Sequence, residues 1–383
     1  MNLAQFYTDS AISNKFVSEF AAPNPFSILD IGCGKLGLLK AAKKRWTSAR
    51  LIGYDIDPNH ATIATKEDFF LNFGDGLDPD LSKRIEDIYG KVDLAVSNPP
   101  YISVDRTIKN QSILKHACIL DGISSTQSLL PAELIFLAQN LLVMKEGSEL
   151  GIILPSGFIS GERWRPLREL LISQYSVTCC LELPPKSFPK TEVSTFALFI
   201  KKERNPSSQF KTIELKSLLF SESIKISAKE AANRLDYTYY APDLYSLHSR
   251  LKSRGNTTVS RGNKTRSELN NRNITHFHTT DLKNDTQILK GHLEEIPPDV
   301  RFASAGDILI SRVGTRCLGR AAYLSAGRMP VSDCILVIKS SLSDQLWNLI
   351  LQEDFKNYLS KIALGAGAKY ITKSILEEVF DAQ

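Results

Sequence analysis

Several absences bound this chain of 383 residues before any motif is read. No apolar run approaches the roughly 18 residues that a membrane-spanning helix needs, so no membrane span is expected. Met1 to Ser10 lacks a basic stretch leading into an apolar one, so a signal peptide is not expected either. Cysteine and histidine are scarce, at six each. Cys33, Cys118, Cys179, Cys180, Cys317 and Cys334 form no CxxC pair and meet no paired histidines. Neither a metal site nor a disulfide framework is supported, and the cysteines read as reduced thiols of a cytoplasmic protein. Low-complexity tracts and fixed-period repeats are missing as well, which argues against a solenoid or a disordered chain.

What is present is ordinary for a globular protein: 43% apolar and 23% charged residues, with length enough for two cores. Net charge is +5, and its placement is uneven. Residues 1–230 are close to neutral, whereas 231–383 carry 20 basic against 16 acidic side chains. Arg261, Lys264, Arg266 and Arg272 have only Glu268 among them, and Arg312, Arg316, Arg320 and Arg328 have no acidic neighbour between Ser311 and Ser332. Such clusters are commonly solvated faces, and they also fit a footprint for the phosphate backbone of a nucleic acid.

Along the chain, Ile12, Phe16, Val17 and Phe20 predict an amphipathic helix with Ser10 as its N-cap. A short apolar run from Phe26 to Ile31 predicts a buried strand that enters Gly32-Cys33-Gly34-Lys35-Leu36-Gly37 and then a helix. G-x-G-x-x-G between strand and helix lets a ligand lie against the backbone. The next strand, Leu51 to Tyr54, ends at Asp55, 21 residues beyond Gly34, where a carboxylate reaches a ribose diol. Phe69 to Phe73 ends likewise at Asp75. For both carboxylates the plain alternative is a turn or an N-cap.

A fourth strand, Val92 to Val96, is stopped by Asn98-Pro99-Pro100-Tyr101, since two prolines cannot continue a ladder. The turn leaves an amide, a bare carbonyl and an aromatic ring at the carboxyl edge of a buried strand, where open α/β sheets bind ligands. These groups suit a planar amine held by two acceptors with a ring on its face; the plain alternative is a proline-rich turn with a capping amide. Beyond it come an amphipathic helix from Pro131 and strands near 150–154, 177–183 and 196–200. The fold class expected is α/β, a doubly wound and mainly parallel sheet over residues 1–205. Residues 206–235 are expected to be a linker, and 236–383 a second, α+β domain with strands at 307–312 and 334–338 and a helix at 344–361. Asp281-Leu282-Lys283 follows Pro242-Asp243 too loosely to read as a nuclease.

Phe6-Tyr7-Thr8, Asp30-Ile31-Gly32-Cys33-Gly34 and Asn98-Pro99-Pro100-Tyr101, in that order, resemble the γ-class S-adenosylmethionine-dependent methyltransferases that modify the N6 of adenine in DNA. The tetrapeptide alone is shared with N4-cytosine and glutamine-N5 enzymes. The resemblance implies a Rossmann-like domain in which Tyr7, Thr8, Asp30, Gly32, Gly34, Asp55 and Asp75 hold the methyl donor. It also implies that Asn98 and Pro99 hold the target amine, with Tyr101 and Phe188 on the flipped base. Lys35-Leu36 and Asp9 depart from the usual pattern. Leu235 to Tyr240, Gly306 to Gly314 and Gly365 to Lys373 resemble one target-recognition domain of a type I restriction specificity subunit. This implies duplex DNA as partner, with Arg261, Lys264, Arg312 and Arg316 as candidate contacts, and a homodimer or separate restriction and specificity subunits. The long helix, second recognition domain and nuclease that can accompany such a domain are not found. The competing expectations are methylation of a protein glutamine or an RNA base, and a non-catalytic DNA-binding component of a defence system.

Overall fold

The computed structural model describes residues 8–61, 69–185, 187–188, 194–203, 209–242, 244, 256–292, 295–314, 316–352, 355–365 and 369–380. The chain divides into two units, Met1–Tyr237 and Thr238–Gln383.

The first unit opens with α1 (Ser10–Ser18), β1 (Ser27–Ile31), α2 (Gly37–Arg45), β2 (Arg50–Asp55), α3 (Pro58–Ala61) and β3 (Phe69–Phe73). Then follow α4 (Leu81–Tyr89), β4 (Val92–Ser97), β5 (Ser103–Asp105), α5 (Ile108–His116), β6 (Leu129–Pro131), α6 (Ala132–Val143) and β7 (Met144–Pro155). It continues through α7 (Ser156–Ser160), α8 (Arg165–Gln174), β8 (Ser176–Glu182), β9 (Thr195–Lys201), β10 (Gln209–Lys216), β11 (Leu219–Phe220), β12 (Ile224–Ser227) and α9 (Ala228–Asn233). The main sheet runs β11-β10-β8-β9-β7-β4-β1-β2-β3, with β12 also on β10. β1, β2, β3, β4 and β7 are mutually parallel along that path, while β9 is antiparallel to both β7 and β8. Every residue of β1 is buried, as expected for a strand covered on both faces. The strand order reverses between β1 and β4, which opens a crevice at their carboxyl ends.

Three local expectations change. The N-cap of α1 is Asp9, whose carboxylate accepts from the Ala11 N–H at 2.8 Å; Ser10 is the first helical residue. α6 is buried on nearly all sides rather than amphipathic, because its polar members Glu133, Gln139 and Asn140 turn inward. Residues 209–235, expected to be linker, extend the sheet: β10 pairs in parallel with β8 from Lys211 to Glu214. The buried Arg168 guanidinium donates to the carbonyls of Phe158, Gly161, Ala232 and Asn233, which binds α9 to α8.

The second unit contains β13 (Thr257–Arg261), β14 (Thr286–Lys290), β15 (Phe302–Ser304), β16 (Ile308–Ser311), β17 (Ala321–Ala326), β18 (Arg328–Pro330) and β19 (Ile335–Ser340). Its main sheet runs β13-β19-β16-β17-β14, antiparallel except for β14 with β17. Alternation along the strands splits the core: Ile308, Ile310, Leu336 and Ile338 join a cluster with Trp347, Tyr358 and Phe380, while Leu309 and Val337 join Phe277 and Val331. The expected helix at 344–361 is present as Ser343–Gln352 and Phe355–Ile362, on either side of residues outside the described set.

Candidate active site

Four strand ends meet in the crevice of the first unit. After β1, Gly32 and Gly34 take positive φ values of 77° and 49°, backbone that favours glycine. The turn is fastened to the end of β2: the N–H groups of Gly32 and Cys33 donate to the Tyr54 carbonyl at 2.7 and 3.0 Å. The Gly34 N–H donates to Asp55 Oδ2 at 2.7 Å, and Asp55 Oδ1 accepts from the Asp57 N–H at 2.9 Å. The glycine turn and the carboxylate expected to hold a ribose are therefore one hydrogen-bonded assembly. The Asp55 carbonyl in turn accepts from the Gly74 N–H at 3.0 Å, which draws in the end of β3. There Asp75 accepts from the Leu77 N–H at 2.9 Å.

Asp30, at the penultimate position of β1, is buried, and its Oδ1 accepts no hydrogen bond from the described residues. Burial first, and the charge of Asp55 second, raise its pKa well above the ordinary carboxylate range. An unsatisfied buried carboxyl beneath a glycine turn is a costly arrangement for a purely structural turn.

Across the switch point, β4 delivers Asn98 at its end, with Pro99 buried and Tyr101 half-buried. Asn98 Nδ2 donates to Thr8 Oγ1 at 3.1 Å, which assigns the amide's donor side to Thr8 and its oxygen to the acceptor role. Thr8 also lies against the start of α2, since a Cβ on Gly37 would come within 3.1 Å of its carbonyl oxygen. Thr8 thus joins the amide corner to the helix that follows the glycine turn. Tyr7 lies outside the described residues.

One expected member is buried. Phe188, read as a ring that closes on a base, is only 2% exposed and belongs to the apolar core with Leu181, Leu183 and Ile213. The Tyr101 phenol is shielded from solvent as well, and its pKa is raised by burial and then by the nearby Glu133 carboxylate.

Sequence reasoning missed α6 as a wall of the site. Phe136 lies against both glycine-bearing turns: a Cβ on Gly32 would sit 3.0 Å from its ring, and one on Gly76 would sit 2.3 Å away. Gln139 Nε2 donates to the carbonyls of Gly76 and Asp78 at 3.3 and 2.7 Å, pinning the loop that carries Asp75. Glu133 is buried beside Tyr101, and burial pushes its carboxyl up to about 7. The signal available was the placement of Glu133, Gln139 and Asn140 inside an otherwise apolar helix.

In the second unit the expected basic contacts are unequal. Lys264 and Arg272 both pair with Asp299, at 3.2 and 2.8 Å. Arg261 grips Asp333 through its carbonyl at 2.8 Å and its carboxylate at 3.2 Å. Arg316 is exposed, and Arg312 is half-buried.

The first unit is thus a doubly wound α/β domain that gathers a glycine turn, acidic strand ends and an amide at its switch point. The family can be stated from comparison: the N-6 DNA methylase model matches residues 2–239, and the chain belongs to that family. It is 26% identical over 184 residues to the modification methylase CviBIII of Paramecium bursaria Chlorella virus NC1A, covering 44% of this chain and 42% of the relative. It is 22% identical over 211 residues to the type II methyltransferase M.CvrRI of Paramecium bursaria Chlorella virus XZ-6E, covering 51% and 48%. These matches span less than half the length of each relative. The type IIG restriction endonuclease BpuSI shares the fold, with a TM-score of 0.53 and 13% identity over 95% of this chain and 56% of its own.

Proposed function

We propose that the chain transfers a methyl group from S-adenosylmethionine to the N6 amine of an adenine flipped out of duplex DNA, as a site-specific γ-class enzyme of a restriction–modification system. The observation that carries the proposal is Asn98, held by Thr8 at the end of β4 across the switch point from the Gly32–Gly34 turn. The donor set fits S-adenosylmethionine: Asp55 ends β2 and Asp75 lies just beyond the end of the adjacent β3, Asp30 Oδ1 is buried with no donor among the described residues, and the turn itself is glycine. Asp55 would hold the ribose hydroxyls, Asp75 the adenine amine, and Thr8 the amino-acid end. When bound, that molecule supplies an electrophilic methyl on a sulfonium.

The remaining work falls to this chain. An exocyclic amine is a poor nucleophile because its lone pair is delocalised into the ring. Asn98 Oδ1 and the Pro99 carbonyl accept its two N–H bonds, favour a more tetrahedral nitrogen and aim the lone pair. Catalysis then depends on positioning and on fixed dipoles, with no covalent enzyme intermediate. Flipping costs a few kcal/mol of unstacking. Stacking on Tyr101, at about 1–3 kcal/mol for a base on an aromatic ring, offsets it.

On this proposal the second unit reads the DNA sequence, and further partners are a second copy of the chain or separate restriction and specificity subunits. Incubation with methyl-labelled S-adenosylmethionine and mixed DNA tests it. Label in N6-methyladenine supports it, label in protein or RNA moves the chain to another substrate class, and no label leaves a DNA-binding component.

A further inference from the structure

Several basic residues of the second unit are already neutralised by acidic partners. Lys264 and Arg272 share Asp299, and Arg320 is held by Asp285 and the Leu282 carbonyl. Arg312 differs from all of them. Its Nε is shielded from solvent without a hydrogen-bond partner, and its guanidinium forms no ion pair among the described residues. The backbone beneath it is held on both sides, its N–H donating to the Cys334 carbonyl at 3.0 Å and its carbonyl accepting from the Ile371 N–H at 2.9 Å.

The groups that act on this guanidinium are Arg261, Cys334, Asp333 and Tyr370. Burial, and next the like charge of Arg261, hold its pKa below the ordinary arginine value. Arg261 spends Nε and Nη2 on Asp333, leaving Nη1 outside those bonds. Arg261 and Arg312 thus flank the start of β19, Arg261 opposite Leu336 and Arg312 just beyond the Ser311–Ile335 pair, with the Asp333 carboxylate next to them taken up by Arg261. A partly desolvated arginine beside a second one is unfavourable until an acceptor arrives. The geometry points to Arg312, steadied by Arg261, as the site where this unit takes a pair of adjacent acceptors on DNA, either the O6 and N7 edge of a guanine or two oxygens of a phosphodiester. Both present the spacing that a guanidinium fork matches bidentately. This inference rests on the proposed function and adds which basic residue carries recognition.

The test uses the full chain, labelled S-adenosylmethionine and sheared bacterial DNA free of N6-methyladenine, with methylated positions mapped by sequencing. Binding to a random-sequence duplex library is followed against salt. Arg312→Gln is expected to lower affinity at least about tenfold. If the acceptors are a guanine edge, one position of the methylated site loses its guanine preference while the salt slope holds. If they are phosphate oxygens, all sequences weaken alike and the slope falls by about 1. Arg312→Lys keeps the charge and loses the fork, so it restores the slope in the second case and leaves the relaxed position in the first. Wild-type affinity and an unchanged methylation map in Arg312→Gln overturn the inference while leaving the proposed function intact. A wild-type chain that neither binds nor methylates DNA overturns both.

Discussion

The two units treat the polar residues at their strand ends in opposite ways. In the first, most of them meet a neighbour nearby in the fold: Gly34 with Asp55, Gly74 with the Asp55 carbonyl, Asn98 with Thr8, and Asp75 with the Leu77 N–H of its own turn. Most of these contacts join the ends of neighbouring elements of the sheet, so the motif residues arrive together. In the second, basic residues meet acids far away in sequence, Arg261 with Asp333 and Lys264 and Arg272 with Asp299. A turn carries its geometry in a few adjacent residues. A charge carries no meaning until its partner is known.

The largest expected effect breaks the first side of that contrast. Asn98→Ala removes one acceptor from the target amine, so methyl transfer should fall by about 10²–10³-fold, the scale of a lost transition-state hydrogen bond. Calorimetry with S-adenosylmethionine should give nearly unchanged affinity, and a comparable loss there would make Asn98 a cofactor ligand instead.

Next comes the buried carboxyl behind the corner. Glu133 titrates near 7 in the folded chain, against an ordinary 4.5, because burial disfavours its charge. Between about pH 4.5 and 7 the folded chain keeps a proton that the unfolded chain has released, so stability falls as pH rises through that window and levels off above it. Glu133→Gln should flatten that dependence and, at pH 8, raise stability by up to about 3 kcal/mol. Denaturant melts at pH 4.5 and 8 check this; parallel curves for wild type and variant would refute it.

Gly76→Ala tests the close approach of α6. Its Cβ would press 2.3 Å from the Phe136 ring, so about 1–3 kcal/mol of stability should be lost. Adding Phe136→Leu should recover part of it, and a thermal midpoint unmoved by Gly76→Ala would show that the ring yields freely.

The smallest effect sharpens the second side. Asp299→Asn releases Lys264 and Arg272 from their shared carboxylate. Binding to random-sequence DNA should tighten a few-fold, and its salt slope should steepen by at most about 2. An unchanged slope would mean that this face never meets phosphate.

These contrasts explain what the sequence made legible. β1 to β4, the glycine turn and the acidic strand ends were readable because apolar runs and breakers are local signals. The inward-turned Glu133, Phe136 and Gln139 were not, since a helix buried all round has no periodicity to reveal which face lines a ligand. Phe188 is ambiguous for a related reason: an aromatic beside proline looks the same in the sequence whether it faces a crevice or a core, and the structure shows it buried. The neutralised lysine and arginines could not be separated from Arg312 without knowing where Asp299 and Asp333 fall. The boundary near 205 was drawn at a polar stretch, while the sheet continues past it through β10.

That continuation decides where the chain could be cut. A fragment ending at 205 would leave β8 as a bare edge strand, with the backbone groups of Lys211 to Glu214 gone from its flank. It would also strip the Ala232 and Asn233 carbonyls from Arg168, taking two acceptors from a buried cation. Such an edge invites intermolecular pairing, so the shorter piece should aggregate where one ending near 237 stays monodisperse.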